Sequence, residues 1–196
     1  VANIDVASVE IRLGDDGNYT LYTGSSDMGM GANTILTQMA CEALGCPMES
    51  MTVVESDTDI VPFDPGSYAS STTYVTGTAA KMAAEELREK IIHKLAQFMD
   101  VKPEDIDFDG LVGTTKDGTK KMSVQELAPK LLVGTTSEQL TGFATWSSHT
   151  SPPPFMASIA EVKVDKQTGQ IIPLHMYNCV DCGTVVNPKL ARVQVE

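Results

Sequence analysis

Polar and apolar residues alternate along DVASVEIRL at 5–13 and again along YTLYTG at 19–24. A period of two places successive side chains on opposite faces, as in a half-buried strand. The intervening GDDGN holds an Asp-Gly turn, so the two segments are expected to form a hairpin. The period then changes. Ile35, Leu36, Met39, Ala40, Ala43 and Leu44 recur at helical spacing on one face, and Gly45 and Pro47 supply the stop. MTVVES at 51–56 reads as a short strand. AAKMAAEELREKIIHKLAQFM at 79–99 is the strongest helix of the chain, rich in good helix formers, with Glu86 and Lys90 one turn apart on its polar side. The order to this point is ββαβα.

The middle is less regular. DIDFDGLVG and the TKKM segment predict a hairpin around the Asp-Gly turn at 116–119. SVQELAPKLL at 123–132 opens with Ser123 and Glu126, the pattern of a capping box, and Pro129 is expected to end or kink that helix. Residues 137–155 are rich in Ser, Thr and Pro and read as a loop or connector. ASIAEVKVD at 157–165 and IIPLHMYNCVD at 171–181 predict a second hairpin about KQTGQ, with Pro173 at an edge or bulge. The fold class expected is α+β: a ββαβα unit with helices packed on a mixed sheet, plus a second, truncated β-hairpin lobe. The expected divisions are 1–104 for the first lobe, 105–150 for hairpin, short helix and connector, and 151–196 for the start of the second lobe.

Composition narrows the partners. With 196 residues and 42% apolar content the chain can bury a sizeable core. A net charge of −12 disfavours nucleic acid and acidic membrane surfaces. No apolar run approaches the ~20 residues of a membrane span, and no signal peptide is evident. Four cysteines in a chain of this length do not form a secreted disulfide framework, so a reducing cytoplasm is expected. The start at Val1 and the end at LARVQVE suggest a piece of a longer polypeptide.

Two loops carry the candidate chemistry. GSSDMGMGANT at 24–34 precedes the first helix, and DPGSYASSTTYVTG at 64–77 precedes the second. The start of a helix leaves about four N–H groups unpaired and carries roughly half a positive charge, which makes it a natural anion site. Gly29 and Gly31 allow positive φ and close approach of a ligand; Ser67, Ser70, Ser71, Thr72 and Thr73 add hydroxyl donors. If both helix starts face one side, they would grip two parts of one extended anion such as a pyrophosphate. The competing interpretation is that each loop is only a turn with an N-cap. Neither matches the phosphate loop, which needs a lysine, nor the dinucleotide glycine fingerprint.

MGMGANTILTQMACEALG, followed by VVESDTDIVPFDPGSYASSTTYVTG and later by AEVKVDKQTGQIIPLHMYNCVDCGTVVNP, resembles the molybdenum-binding large subunit of the xanthine dehydrogenase and aldehyde oxidase family. Nearly the whole chain takes part, with residues 100–150 least alike. The resemblance implies a molybdenum–molybdopterin cofactor, in the cytosine dinucleotide form of the prokaryotic members. It also implies hydroxylation of a purine, another heteroaromatic ring or an aldehyde with oxygen from water, electrons leaving through iron–sulfur clusters, and a role in purine catabolism. The implied partners are the remainder of the large subunit, iron–sulfur and FAD subunits, and a small-molecule substrate. Carried onto this sequence, Gly29, Met30 and Gly31 would lie along the pterin and its phosphates. Ala69, Ser70, Ser71 and Thr72 would line the second loop. Family members commonly have glutamine where Met30 stands, and a thioether is only a weak acceptor. The family's catalytic glutamate and its earlier Gly-rich cofactor loop would fall outside these residues, so no catalytic residue is assigned and the chain alone is expected to be inactive.

The remaining candidates have plainer roles. Cys179 and Cys182 make a single C-x-x-C, half of a zinc site, and all four cysteines are expected to be buried thiols. His93, His149 and His175 are not expected to be ligands. Glu55, Asp57 and Asp59 suit loop solvation and N-capping better than a divalent ion. Asp181 is expected to fix a turn, and the methionines to fill the core. No metal site is expected from these residues. Self-association through exposed apolar surface is expected of the isolated chain. The alternatives are a stand-alone binding module for a phosphorylated ligand, or an assembly fragment without a ligand.

Overall fold

The computed structural model describes residues 5–133, 137–150 and 152–196. Residues 1–4, which the sequence suggests begin a strand, residues 134–136 and Ser151 lie outside the described residues. The chain divides into two compact units, Val1–Thr150 and Ser151–Glu196.

In the first unit the alternation seen in the sequence becomes a hairpin of β1 (Val6–Leu13) and β2 (Tyr19–Thr23), paired antiparallel from Val9↔Thr23 to Leu13↔Tyr19. α1 (Ala32–Leu44) then crosses to β3 (Met51–Glu55), which runs parallel to β2. α2 (Thr72–Met99) follows. The sheet order is β3-β2-β1-β7, the last strand being β7 (Thr141–Ser147), antiparallel to β1. So residues 141–147, expected as connector, form an edge strand of the main sheet.

The reason lies in how the helices sit. Val9, Ile11, Leu13, Tyr19 and Leu21 are buried on one face of the sheet. α2 presents Ala79, Ala80, Ala83 and Ala84 there, all fully buried, and short side chains bring its backbone close. The β7 residues on that face are Gly142, Ala144 and, near the strand's end, half-buried Trp146, while Phe143 on the other face is 52% exposed. A Cβ on Gly142 would collide with the Ala83 carbonyl and press on Leu87. Along the first half of β7 the close approach selects small residues inside and leaves Phe143 outside, which inverts the usual hydrophobic alternation there.

α2 also begins at Thr72, not at 79. Its first turns carry Thr72, Thr73, Val75, Thr76 and Gly77, which are poor helix formers. Packing supplies what propensity lacks: Val75, Thr76 and Gly77 are buried, and the Met39 thioether of α1 fills the space above Gly77.

Further along, Leu87, Ile91 and Leu95 carry the core toward a small sheet of β4 (Ile106–Phe108), β5 (Val112–Thr115) and β6 (Lys121–Ser123), with α3 (Val124–Leu131) beside it. The capping box forms in full: Ser123 Oγ accepts the Glu126 N–H at 3.1 Å and the Glu126 carboxylate accepts the Ser123 N–H at 2.9 Å. Pro129 lies inside this short helix.

The second unit is the antiparallel hairpin of β8 (Phe155–Val164) and β9 (Ile171–Asp181), then α4 (Pro188–Val193). The register slips between Glu161 and Val162, opposite Pro173, which has no N–H to give to the ladder. Asp181 accepts the Gly183 N–H at 3.0 Å and so holds the following turn. The fold is α+β, with helices on a mixed sheet and a separate hairpin unit. No helix among the described residues is long and apolar enough to cross a membrane.

Candidate functional site

α1 and α2 run in the same direction. Met39 in α1 packs on Gly77 near the start of α2, and the Leu44 carbonyl at the end of α1 accepts from Arg88 further along α2. Parallel neighbouring helices place their N-termini, each with a partial positive charge, at one end. That end is also where the parallel strands β2 and β3 finish, the edge of an α/β arrangement where ligands are usually received.

The two loops meet at their bases. Ser67 Oγ donates to the Ser26 carbonyl at 2.9 Å and lies 3.3 Å from Ser25 Oγ. Ser56 Oγ, after β3, donates to Ser26 Oγ at 2.9 Å. Gly24 is pressed against the Pro62 carbonyl and Asp64, so a side chain there would part the loops. Between them opens a cleft of about 490 Å³ walled by Gly24, Ser26, Ser56, Val61, Phe63 and Asp64.

The first loop is built around a residue the sequence reading passed over. The Asp27 carboxylate accepts N–H groups from Gly29 at 2.9 Å, Gly31 at 3.1 Å and Asn33 at 3.3 Å. Burial pushes its pKa up, but these backbone donors prevail and hold it below the usual 3.8. Gly29 at φ 100 and Gly31 at φ 80 adopt left-handed conformations that wrap the backbone about the carboxylate. Asp27 N–H in turn donates to Glu55 at 3.0 Å. The start of α1 therefore already holds an anion from its own chain. The signal was present in the sequence, since an Asp two residues before a Gly commonly makes such a turn. Met30 does not reach outward from this loop: its thioether accepts the Met28 N–H at 3.2 Å. Met28 itself, expected in the core, is 71% exposed.

The second loop is different. Ala69 at φ 51 and Ser70 at φ 57 are consecutive non-glycine residues in the left-handed region, a conformation that costs about 1–3 kcal/mol per residue. They lead into Ser71, the N-cap of α2. Ser71 Oγ does not cap the helix but donates back to the Tyr68 carbonyl at 3.0 Å. No acidic residue occupies the first turn, and the N–H groups of Thr72, Thr73 and Tyr74 have no acceptor among the described residues. Asp64 anchors the loop from behind, taking the Gly66 N–H at 2.8 Å and the Thr76 hydroxyl at 3.0 Å. Of the two helix starts, α2 offers free donors and α1 offers a braced wall.

The other candidates resolve simply. Asp57 accepts the Asp59 N–H at 3.1 Å, a turn contact, and no group of His, Cys, Asp and Glu among the described residues could hold a metal ion. Cys41 and Cys46 are buried, whereas Cys179 and Cys182, expected to be buried, are exposed in the second unit. Met48, Met82, Met156 and Met176 are likewise exposed, not core fillers. His93 and His175 are exposed.

An α+β unit whose parallel helices start together above the ends of parallel strands has the arrangement in which ligands are usually received at that end. The family is specific. The chain belongs to the molybdopterin cofactor-binding domain family, whose model matches residues 2–196. It is 37% identical over 195 residues to the Probable hypoxanthine oxidase XdhD of Escherichia coli (strain K12), covering all of this chain and 20% of that protein. It is 29% identical to the xanthine dehydrogenase molybdenum-binding subunit of Escherichia coli O157:H7, covering 98% of this chain and 26% of that one. Among solved structures it superposes on the CO dehydrogenase of Oligotropha carboxidovorans with a TM-score of 0.78 and 27% identity, covering 96% of this chain and 24% of the other. It thus spans a fifth to a quarter of the relatives it matches.

Proposed function

We propose that the chain forms part of the cofactor cradle of a molybdenum hydroxylase, and that the ligand's anionic portion is received at the start of α2. The observation that carries this reading is the asymmetry of the two helix starts: uncapped amides and a left-handed Ala69–Ser70 pair at α2, against an α1 loop closed on Asp27. Ala69, Ser70, Ser71 and Thr72 make the anion contacts. Gly29, Met30 and Gly31 form the facing wall, touching the ligand through the outer side of the loop, because their amides turn inward to Asp27. The residues fit such a group on the α2 side, where a phosphate meets donors and a partial positive charge with no competing carboxylate in the first turn.

When bound, the molybdenum group supplies hydroxylation of a heterocycle or aldehyde with oxygen from water. This chain holds and orients the cofactor, and no residue in it is assigned a proton-transfer role. We take the cofactor to be the cytosine dinucleotide form. Within the whole protein the partners are the rest of the large subunit and iron–sulfur and FAD subunits, in the cytoplasm, with purine breakdown as the setting. The isolated 196-residue chain does not turn over substrate.

The test separates ligand binding from folding. Ser71→Asp gives α2 a better N-cap, which favours the helix, but sets a carboxylate where the anion would sit. In the full-length protein, molybdenum and pterin content are expected to fall roughly tenfold, about 1.4 kcal/mol, with melting temperature unchanged or raised. Unchanged cofactor content would overturn the reading.

A further inference from the structure

Thr76 lies in the second turn of α2 and is 3% exposed, so its hydroxyl must find a partner inside the protein. For a helical threonine the ready partner is the carbonyl one turn back. Two other threonines take it: Thr37 donates to the Asn33 carbonyl at 2.7 Å and Thr78 to the Tyr74 carbonyl at 2.5 Å. Thr76 turns elsewhere. Its hydroxyl donates to Asp64 Oδ2 at 3.0 Å, twelve residues back along the chain. Asp64 Oδ1 accepts the Gly66 N–H at 2.8 Å. One carboxylate thus joins the two ends of the loop that carries left-handed Ala69 and Ser70 and the open amides at the start of α2. Asp64 is itself fixed in place. The carbonyl of Phe63, just before it, accepts the Ser8 N–H of β1 at 3.0 Å. A Cβ on Gly24 would stand 2.9 Å from Asp64 Cβ and 2.7 Å from the Pro62 carbonyl oxygen, so a larger residue there would push Asp64 away. The line from Ser8 through Phe63 and Asp64 to Thr76 therefore ties the main sheet to the start of α2.

We propose that Asp64 and Thr76 are positioning residues for the anion site at the start of α2, a clasp that holds the loop in its ligand-ready shape. The inference rests on the reading that this helix start receives the anionic part of the ligand. Two consecutive non-glycine residues at positive φ persist only where their surroundings hold them. Ser67 pins the middle of the loop to the Ser26 carbonyl, and the Asp64–Thr76 pair pins its ends. Both residues act through the loop and not on the ligand. A loop ordered in advance loses less freedom when the ligand arrives, and so binds it more tightly.

The experiment uses the full-length protein, with two readouts: molybdenum and pterin content, and amide hydrogen exchange of the cofactor-free form. Thr76→Val removes the hydroxyl, and Thr76→Ser keeps it. Thr76→Val is expected to lower cofactor content about tenfold, the scale of one hydrogen bond to a charged group. Exchange is expected to quicken in residues 65–75 alone, with the melting temperature little changed. Thr76→Ser is expected to restore both readouts. Asp64→Asn is expected to retain most of the cofactor, since its amide oxygen can accept from Gly66 and its amide N–H can donate to the Thr76 oxygen. Unchanged exchange in 65–75 of Thr76→Val overturns the proposal, as does a Thr76→Ser variant no better than Thr76→Val. Faster exchange throughout the chain with a matching drop in melting temperature also overturns it, because the pair would then serve the fold at large. The Ser71→Asp variant separates the clasp from the reading beneath it. Cofactor content lowered by Ser71→Asp but not by Thr76→Val refutes the clasp alone, whereas content unmoved by either refutes the anion site and the clasp with it.

Discussion

At the residue scale the molecule turns on Asp27. A carboxylate accepting several backbone N–H groups is favoured in its charged form, and Asp27 accepts them from Gly29, Gly31 and Asn33. Its folded pKa lies below its usual 3.8. The stabilisation is therefore complete above about pH 4 and fades as the pH drops through the lower, folded value. Asp27→Ala is expected to cost about 1–2 kcal/mol at pH 7 by analogy with lost helix caps. The gap between wild type and variant in thermal unfolding should narrow steadily as the pH is lowered toward 2. A gap that stays constant with pH would mean that the carboxylate charge is not what holds the loop. The loop itself was legible in the sequence, because glycines ahead of a helix announce themselves. Asp27 had only a local signal, an Asp two residues before a Gly, because its three contacts run within its own loop and leave no periodic trace. Ser123 and Glu126 show the converse: a capping box has fixed spacing, and it was read in full.

At the scale of elements, the order β1, β2, α1, β3, α2 follows from period and punctuation alone, and the structure keeps it. What escaped was β7. Its inward residues are Gly142, Ala144 and, near the strand's end, Trp146, and its outward ones include Phe143, so hydrophobicity marked no consistent face. The missing information was tertiary: the alanine face of α2 lies so close that only a glycine fits beneath the Ala83 carbonyl. Gly142→Ala is therefore expected to force β7 and α2 apart and to cost about 1–3 kcal/mol or more, as overpacked sites do. Gly118 has φ +73 and open space around it, so Gly118→Ala is expected to cost only about 1 kcal/mol through backbone strain. Chemical denaturation of both variants checks the contrast. Equal losses would mean that backbone conformation, not the close approach, governs Gly142.

At the scale of the whole molecule, the two units are stabilised in unequal ways. Residues 5–150 surround one continuous core, whereas the hairpin of β8 and β9 has almost no buried side chain. Two strands alone are marginal in water because they have no second layer to bury against. Yet both faces are apolar: Ile159, at 69% exposure, stands beside Tyr177 on one, and Met176, at 68%, beside Ala160 on the other. The alternation that made this hairpin legible in the sequence said nothing about what covers it, since pairing is local and coverage is not. Contiguous exposed apolar surface of this kind drives association. The isolated 196-residue chain is therefore expected to self-associate as its concentration rises, in sedimentation velocity, and to bind a hydrophobic dye. Ile159→Lys with Met176→Lys should return it to monomer and abolish dye binding. The melting transition of the first unit should not change, because neither residue belongs to its core. A wild-type chain that stays monomeric and dye-free across the same range would show that the hairpin shields these side chains by itself.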